Sequence, residues 1–420
     1  MYELLILDYI LGHLDTKRAV SMKSLELFVG AGGLGLGVSQ AGFSPVAVMD
    51  WDKWACDTIR ENQRIGLKQV ADWPLHQVDV REFNFGSLED KVDLVTGGPP
   101  CQPFSLGGRH KAHLDVRDMF PQAIRAVRTL RPKAFVFENV KGLTRTTFAN
   151  YLEYIRLQLR HPEQEAGKDE AWLDHLSRLE DYETHGKFRG LEYRVALRVL
   201  NAANYGVPQR RERVFIVGFR SDTKVEWHFP AATHSQDALH WSQWRSSDYW
   251  EKNRVARTHR PSDERSFMRA QRILEKPTTK PWETVRSAIS DLPDPEANPS
   301  KPAALSGHKF QAGARIYAGH TGSPLDEPAK TLKAGVHGVP GGENMLRRPD
   351  GSVRYFTIRE SARLQTFPDE MVFLGSWSET MRQLGNAVPV QLAKVVAESV
   401  HKCLIQSDTP ESFKTRRAAN

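Results

Sequence analysis

The sequence predicts a doubly wound α/β domain that carries a second, smaller and irregular domain. From Leu25 to Phe219, short β-branched or aromatic runs alternate with polar, helix-like segments, the rhythm of strands joined by helical crossovers. Between Ser221 and Tyr355 that rhythm is lost, and Pro, Gly, Trp and Arg become frequent. Helical spacing then returns from Ile358.

In chain order, residues 1–22 form an N-terminal extension. Its apolar stretch is interrupted by Glu3 and Asp8 and follows no basic leader, which argues against a secretory signal. The strands expected over residues 23–220 are Leu25–Val29, Val46–Met49, Asp93–Thr96, Ala134–Phe137 and Arg213–Gly218. Several end at Gly, Asp or Pro, so their C-terminal ends can open a crevice for a ligand. Residues 157–190 are charge-rich around Trp172 and Leu176 and read as a solvated, partly helical insertion. Residues 221–356 form the second domain. Residues 357–405 return as helices that complete the first: Ile358–Gln365, and Ala387–Leu404 with Pro389 in its first turn. Residues 406–420 are a tail.

Hydrophobic residues make up 40% of the 420 and charged residues 26%, and no apolar run approaches the roughly 18 residues of a membrane span. The three cysteines, Cys56, Cys101 and Cys403, are far apart, which argues against a disulfide framework and a metal site and for a reducing cytoplasm. A formal net charge of +7 is compatible with a polyanionic partner.

Leu25-Glu26-Leu27-Phe28-Val29 runs into Gly30-Ala31-Gly32-Gly33-Leu34-Gly35, a strand, a tight glycine turn and a helix start. Glycines let a cofactor approach the backbone, and Asp50 stands where an acid accepts hydrogen bonds from ribose hydroxyls. Trp51 offers a flat face to an adenine ring, and Asp79 an acceptor for its amino group. A dehydrogenase would satisfy the turn equally well.

Asp93–Thr96 leads into Gly97-Gly98-Pro99-Pro100-Cys101-Gln102-Pro103-Phe104-Ser105. Three prolines around one thiol make a stiff loop that presents a cysteine at a strand end. Cys56 and Cys403 sit in helix-like patterns and read as small core residues. A nucleophilic thiol needs surroundings that favour the thiolate, and Arg211, Arg213 and the loop amides are candidates to supply them.

This loop resembles the catalytic Pro-Cys loop of the cytosine-5 DNA methyltransferases. Phe28–Gly33, Phe137-Glu138-Asn139-Val140, Gln209-Arg210-Arg211-Glu212-Arg213, Arg359–Pro368 and Gln383–Pro389 resemble that family's other motifs in the same order. The likeness, of prokaryotic type II modification character, displaces the dehydrogenase reading. It implies a Rossmann-like methyltransferase domain with a target-recognition domain, S-adenosylmethionine as cofactor and double-stranded DNA as substrate. It also implies a monomer, with a restriction endonuclease or a defence system as the cognate partner. A branch of the family acting on transfer RNA, and catalytically silent DNA-binding relatives, share these motifs.

By the same resemblance, Cys101 adds to the base, Glu138 and Arg213 serve its nitrogen and carbonyl edge, and Arg211 lies near the cysteine and the sugar-phosphate. The cofactor falls to Phe28, Gly30, Gly32 and Gly33, to Asp50, Trp51, Asp79 and Val80, and to Pro100, Asn386 and Ala387. DNA contacts are expected from Ser105 and Arg109 after the cysteine, from Arg210, and from Thr331 and Leu332 in a Thr-Leu element. Residues 252–286 carry ten Lys or Arg against four Asp or Glu, a composition suited to phosphate contacts.

Overall fold

The computed structural model describes residues 21–100, 118–186, 190–297, 305–318, 320–334 and 342–408. A seven-stranded sheet organises the first domain: β1 (Lys23–Leu27), β2 (Ser44–Asp50), β3 (Leu75–Gln77), β4 (Leu94–Gly97), β5 (Ala134–Val140), β6 (Tyr193–Asn201) and β7 (Glu212–Arg220), in the order β3-β2-β1-β4-β5-β7-β6. Strands β1 to β5 pair in parallel, and β7 runs antiparallel between β5 and β6. The order reverses at β1 and β4, so the crevice between their C-terminal ends is the position where doubly wound sheets bind ligands.

Helices α1 (Gly33–Gln40), α2 (Lys53–Arg64), α3 (Phe120–Leu130), α4 (Ala149–Arg160) and α5 (Trp172–His185) follow within this half. One face of the sheet buries Leu25, Val95, Phe135 and Ile216 with Ile124 and Val127 of α3 and Ile155 of α4. The other buries Leu94, Val136 and Val217 with Leu392 and Val396 of a long C-terminal helix.

The insertion is not a solvated decoration. In α5, Leu176 and Leu179 enter the main core and Trp172 packs against it, because positions 172, 176 and 179 share one helical face. His175 is buried between Tyr154 Oη at 2.8 Å and the Gln164 carbonyl at 3.0 Å.

Residues 221–356 hold short elements: α6 (Gln236–Trp244), α7 (Asp248–Lys252), α8 (Glu264–Gln271) and α9 (Val285–Ile289), with two-residue and three-residue strands. They surround two small cores. One joins Leu239, Tyr249, Trp250 and Trp282, and the other joins Val285, Leu332, Leu346 and Phe356 to Leu364.

Then come α10 (Ile358–Leu364), α11 (Trp377–Asn386) and α12 (Val390–Asp408). A capping box at Thr357 and Glu360 starts α10. The last helix begins at Val390 rather than at Ala387: Ala387 is extended at ψ 146°, and Pro389 disfavours helical geometry in Val388 before it. Among the described residues no helix is long and apolar enough to cross a membrane.

Candidate active site

The crevice at the strand ends is a cleft of about 480 Å³, within the range of small-molecule sites. After β1, Phe28 adopts a left-handed conformation at φ 57°, uncommon for a residue with a Cβ. Gly32, at φ 87°, is the N-cap of α1. A side chain on Gly33 would place its Cβ 2.2 Å from the Val388 carbonyl oxygen. The glycine turn is therefore pressed against the segment after α11, and residues far apart in sequence share one wall.

The acids after β2 build the next wall. Asp50 Oδ2 accepts from the Gly30 amide at 2.8 Å and Oδ1 from the Asp52 amide at 2.9 Å. Burial raises its pKa, although these amides favour the carboxylate. Asp52 caps α2 through the Ala55 amide at 2.9 Å. Between them Trp51 is 73% exposed, a large apolar ring set on the cleft wall. Glu26 also lines the cleft while only 3% exposed, and its Oε1 has no hydrogen-bond partner among the described residues. Burial, reinforced by the Asp50 charge, holds its carboxyl well above the usual range.

The opposite wall comes from β4, β5 and β7. Asn139 Nδ2 donates to the Pro99 carbonyl at 2.9 Å, and the Met119 amide to the Pro100 carbonyl at 3.0 Å. Both ends of the described chain flanking residues 101–117 are thus pinned. Glu138, 7% exposed, stands 2.8 Å from Arg213 Nε. The N–H direction misses Oε1, which keeps its capacity for another donor. Burial raises the Glu138 pKa against the lowering effect of Arg213 and Arg211, and burial likewise lowers that of Arg213.

The cleft therefore brings together Phe28, Gly30, Gly33, Asp50, Trp51, Pro100, Glu138, Arg213, Asn386 and Ala387. Gly32 shapes the turn without lining the cleft. Asp79 does not line it either: its carboxylate is gripped by Arg81 Nε at 3.0 Å, which lowers its pKa, and caps a short 3-10 turn. Val80 is core.

Arg211 is not at the cleft. It is wholly buried, and its guanidinium donates to the Leu332 carbonyl at 3.0 Å and the Gly385 carbonyl at 2.7 Å. Leu332 is also core rather than a surface contact, held by its amide to Gln209 Oε1 at 2.9 Å. The Thr331 hydroxyl donates to the Arg210 carbonyl at 2.7 Å, and Arg210 pairs with Glu327 at 3.1 Å. The Gln-Arg-Arg-Glu-Arg and Thr-Leu segments are thus zipped to each other. Cys101, Ser105 and Arg109 lie outside the described residues.

Sequence reasoning passed over Glu26, Asp52, Arg382 and Gln383, all cleft residues. An acid inside the apolar run of a central parallel strand was a usable signal for Glu26, and Asp three residues before Ala55 signalled the cap. Nothing local distinguished Arg382.

A sequence profile described as C-5 cytosine-specific DNA methylase matches residues 22–162 and 180–402. The Type II methyltransferase M.PspPI of Psychrobacter sp. (strain TA137) is 32% identical over 93% of this chain and 81% of its own. M.Eco47II of Escherichia coli is 31% identical over 90% of this chain and 78% of its own. Among solved structures, a DNA modification methyltransferase encoded within a prophage (E. coli) superposes at a TM-score of 0.55. It has 20% identity and covers 92% of this chain and 100% of its own. Spodoptera frugiperda DNMT2 superposes at 0.53 with 16% identity, over 92% of this chain and 100% of its own. These two likenesses are of fold.

Proposed function

The chain belongs to the C-5 cytosine-specific DNA methylase family, and from that premise we propose how its cleft carries out cytosine-5 methylation of DNA, with S-adenosylmethionine as methyl donor. The observation that carries the reading is one cleft lined by an open aromatic and glycine wall, by the Glu138–Arg213 pair and by Pro100, the neighbour of Cys101.

The donor set fits the cofactor. The bare Trp51 face suits an adenine, the Asp50 segment suits ribose hydroxyls, and the unpartnered Glu26 oxygen suits a polar or cationic group. Asn386 and Ala387 close the site from the C-terminal side. When bound, S-adenosylmethionine supplies an electrophilic methyl on a sulfonium. Asp79 and Val80 are not among the residues that line the cleft.

Carbon 5 of cytosine is a weak nucleophile, so the ring is first activated by addition of the Cys101 thiolate to carbon 6. That addition drives negative charge onto ring nitrogen 3 and the carbonyl oxygen. Glu138, its pKa raised by burial, donates a proton or hydrogen bond to nitrogen 3, while Arg213 stabilises the oxygen in a site partly shielded from water. Carbon 5 then gains nucleophilic character, and after methylation its proton leaves to a base and the thiolate is eliminated. Carbon 6 is inaccessible in a stacked duplex, so the base is turned out of the helix at a cost of a few kcal/mol. The basic stretch 252–286 contributes phosphate contacts toward that cost.

By the same reading the protein acts as a monomer and works in the cytoplasm beside a cognate restriction endonuclease or another defence system. Incubation with labelled S-adenosylmethionine and either genomic DNA or bulk transfer RNA tests the substrate. Label in DNA, mapped to cytosines, is expected, and label in RNA alone would refute the reading.

A further inference from the structure

We propose that Arg382 is a positioning residue for the cofactor end of the cleft: it bridges Glu379 and Asp52, holds α11 against the start of α2, and fixes the stretch Asp50-Trp51-Asp52. This rests on the reading of the cleft as the S-adenosylmethionine site.

Arg382 Nη2 lies 2.9 Å from Asp52 Oδ2 and 2.7 Å from Glu379 Oε2, with Nε 3.1 Å from the same Glu379 oxygen. The bond to Asp52 spans 330 residues of sequence. It is one link in a continuous chain. The Gly30 amide is held by Asp50, Asp50 holds the Asp52 amide, Asp52 caps α2, and the free oxygen of that cap is held by Arg382. Trp51 sits inside this chain. Its ring is 73% exposed and has no aromatic or cationic partner among the described residues, so its placement depends on its backbone, and its backbone depends on the two flanking aspartates.

A second tie between the helices, Thr58 Oγ1 to Gln383 Oε1 at 2.8 Å, is buried one turn and a half further along α2. It anchors the middle of α2 and leaves its cleft end to Arg382. The Arg382 and Asp52 side chains are 33% and 28% exposed. An ion pair that open adds little to global stability, so its consequence is local. Both partners line the cleft, and the ligand-binding geometry is where the loss should register.

The test is a double-mutant cycle read by calorimetric binding of S-adenosylhomocysteine without DNA, using Arg382→Gln, Asp52→Asn and the pair. Asparagine keeps the helix-cap acceptor while removing the charge, so the cap is not confounded with the bridge. Each single change should weaken binding about ten-fold, and the pair should bind about as weakly as the worse single, since both break one interaction. Arg382→Lys should fall between wild type and Arg382→Gln. Thermal melting without ligand should barely move, as a purely structural role would not allow. Wild-type binding with unchanged variants, or single losses that multiply in the pair, would overturn the proposal. Wild-type protein that does not bind S-adenosylhomocysteine would overturn the cofactor reading itself and this proposal with it.

Discussion

Replacing Arg211 with Met decides between two roles for a residue inside the Gln-Arg-Arg-Glu-Arg motif. Its guanidinium is wholly buried and donates to the carbonyls of Leu332 and Gly385. Burial and the neighbouring Arg213 push its pKa down, with Glu138 opposing, yet a guanidinium starts so high that it stays charged near neutrality. Methionine matches the length of the stem but leaves both carbonyls without donors. Each charge-assisted hydrogen bond contributes ~1.5–3 kcal/mol, so the loss of two is about 3–6 kcal/mol of folding stability, less whatever the apolar replacement regains by removing a buried charge. Arg211→Lys can reach only one carbonyl and should lose about half as much. Chemical denaturation followed by tryptophan fluorescence measures both. At a temperature where Arg211→Met remains folded, methyl transfer should fall with the displacement of the 329–334 and 385–387 segments and not by loss of a substrate contact. A variant as stable as wild type but devoid of activity would refute this account and return Arg211 to the substrate.

Two other consequences follow from the cleft walls. The Glu26 carboxyl is held above its ordinary pKa of 4.5 by burial, so the folded state retains a proton that the unfolded chain has released. Its stabilising contribution is full below that value and is lost as pH rises through the raised pKa. Glu26→Gln should therefore flatten the decline in stability above about pH 4.5 and stabilise the cofactor-free protein at neutral pH, and denaturation at several pH values showing parallel curves for both proteins would contradict this. Gly33→Ala forces a Cβ to 2.2 Å from the Val388 carbonyl, which should cost about 1–3 kcal/mol and weaken cofactor binding measurably by calorimetry; full retention of both would show that the C-terminal wall yields freely.

The parts legible from sequence were those in which the relevant physics is local. The period of apolar runs located β1, β2, β4, β5 and β7, and the glycine turn, Asp50 and Trp51 line one cleft with Pro100, Asn386 and Ala387. Long-range partners were hidden. Arg211 reads as a neighbour of the cysteine and the sugar-phosphate, and only the carbonyls of residues 332 and 385 explain its burial. Asp79 stands after a strand like Asp50, but Arg81, two residues on, engages its carboxylate. Helix α5 has a charged composition, while the three residues that bury it are spaced across two turns. Arg382 lies in a polar stretch whose partner is in the first eighth of the chain.

The proposed reaction turns on the addition of the Cys101 thiolate to carbon 6 of the target cytosine beside Glu138 and Arg213. A DNA duplex carrying 5-fluorocytosine at the mapped target site tests it directly, because fluorine cannot leave carbon 5 as a proton does and the adduct cannot be eliminated. With S-adenosylmethionine present, a denaturation-resistant protein–DNA complex should form, and mass spectrometry should place the base on the peptide containing Cys101. Cys101→Ser should form none. Efficient methylation of the ordinary duplex without any trapped complex, or a complex bonded to another residue, would contradict the account.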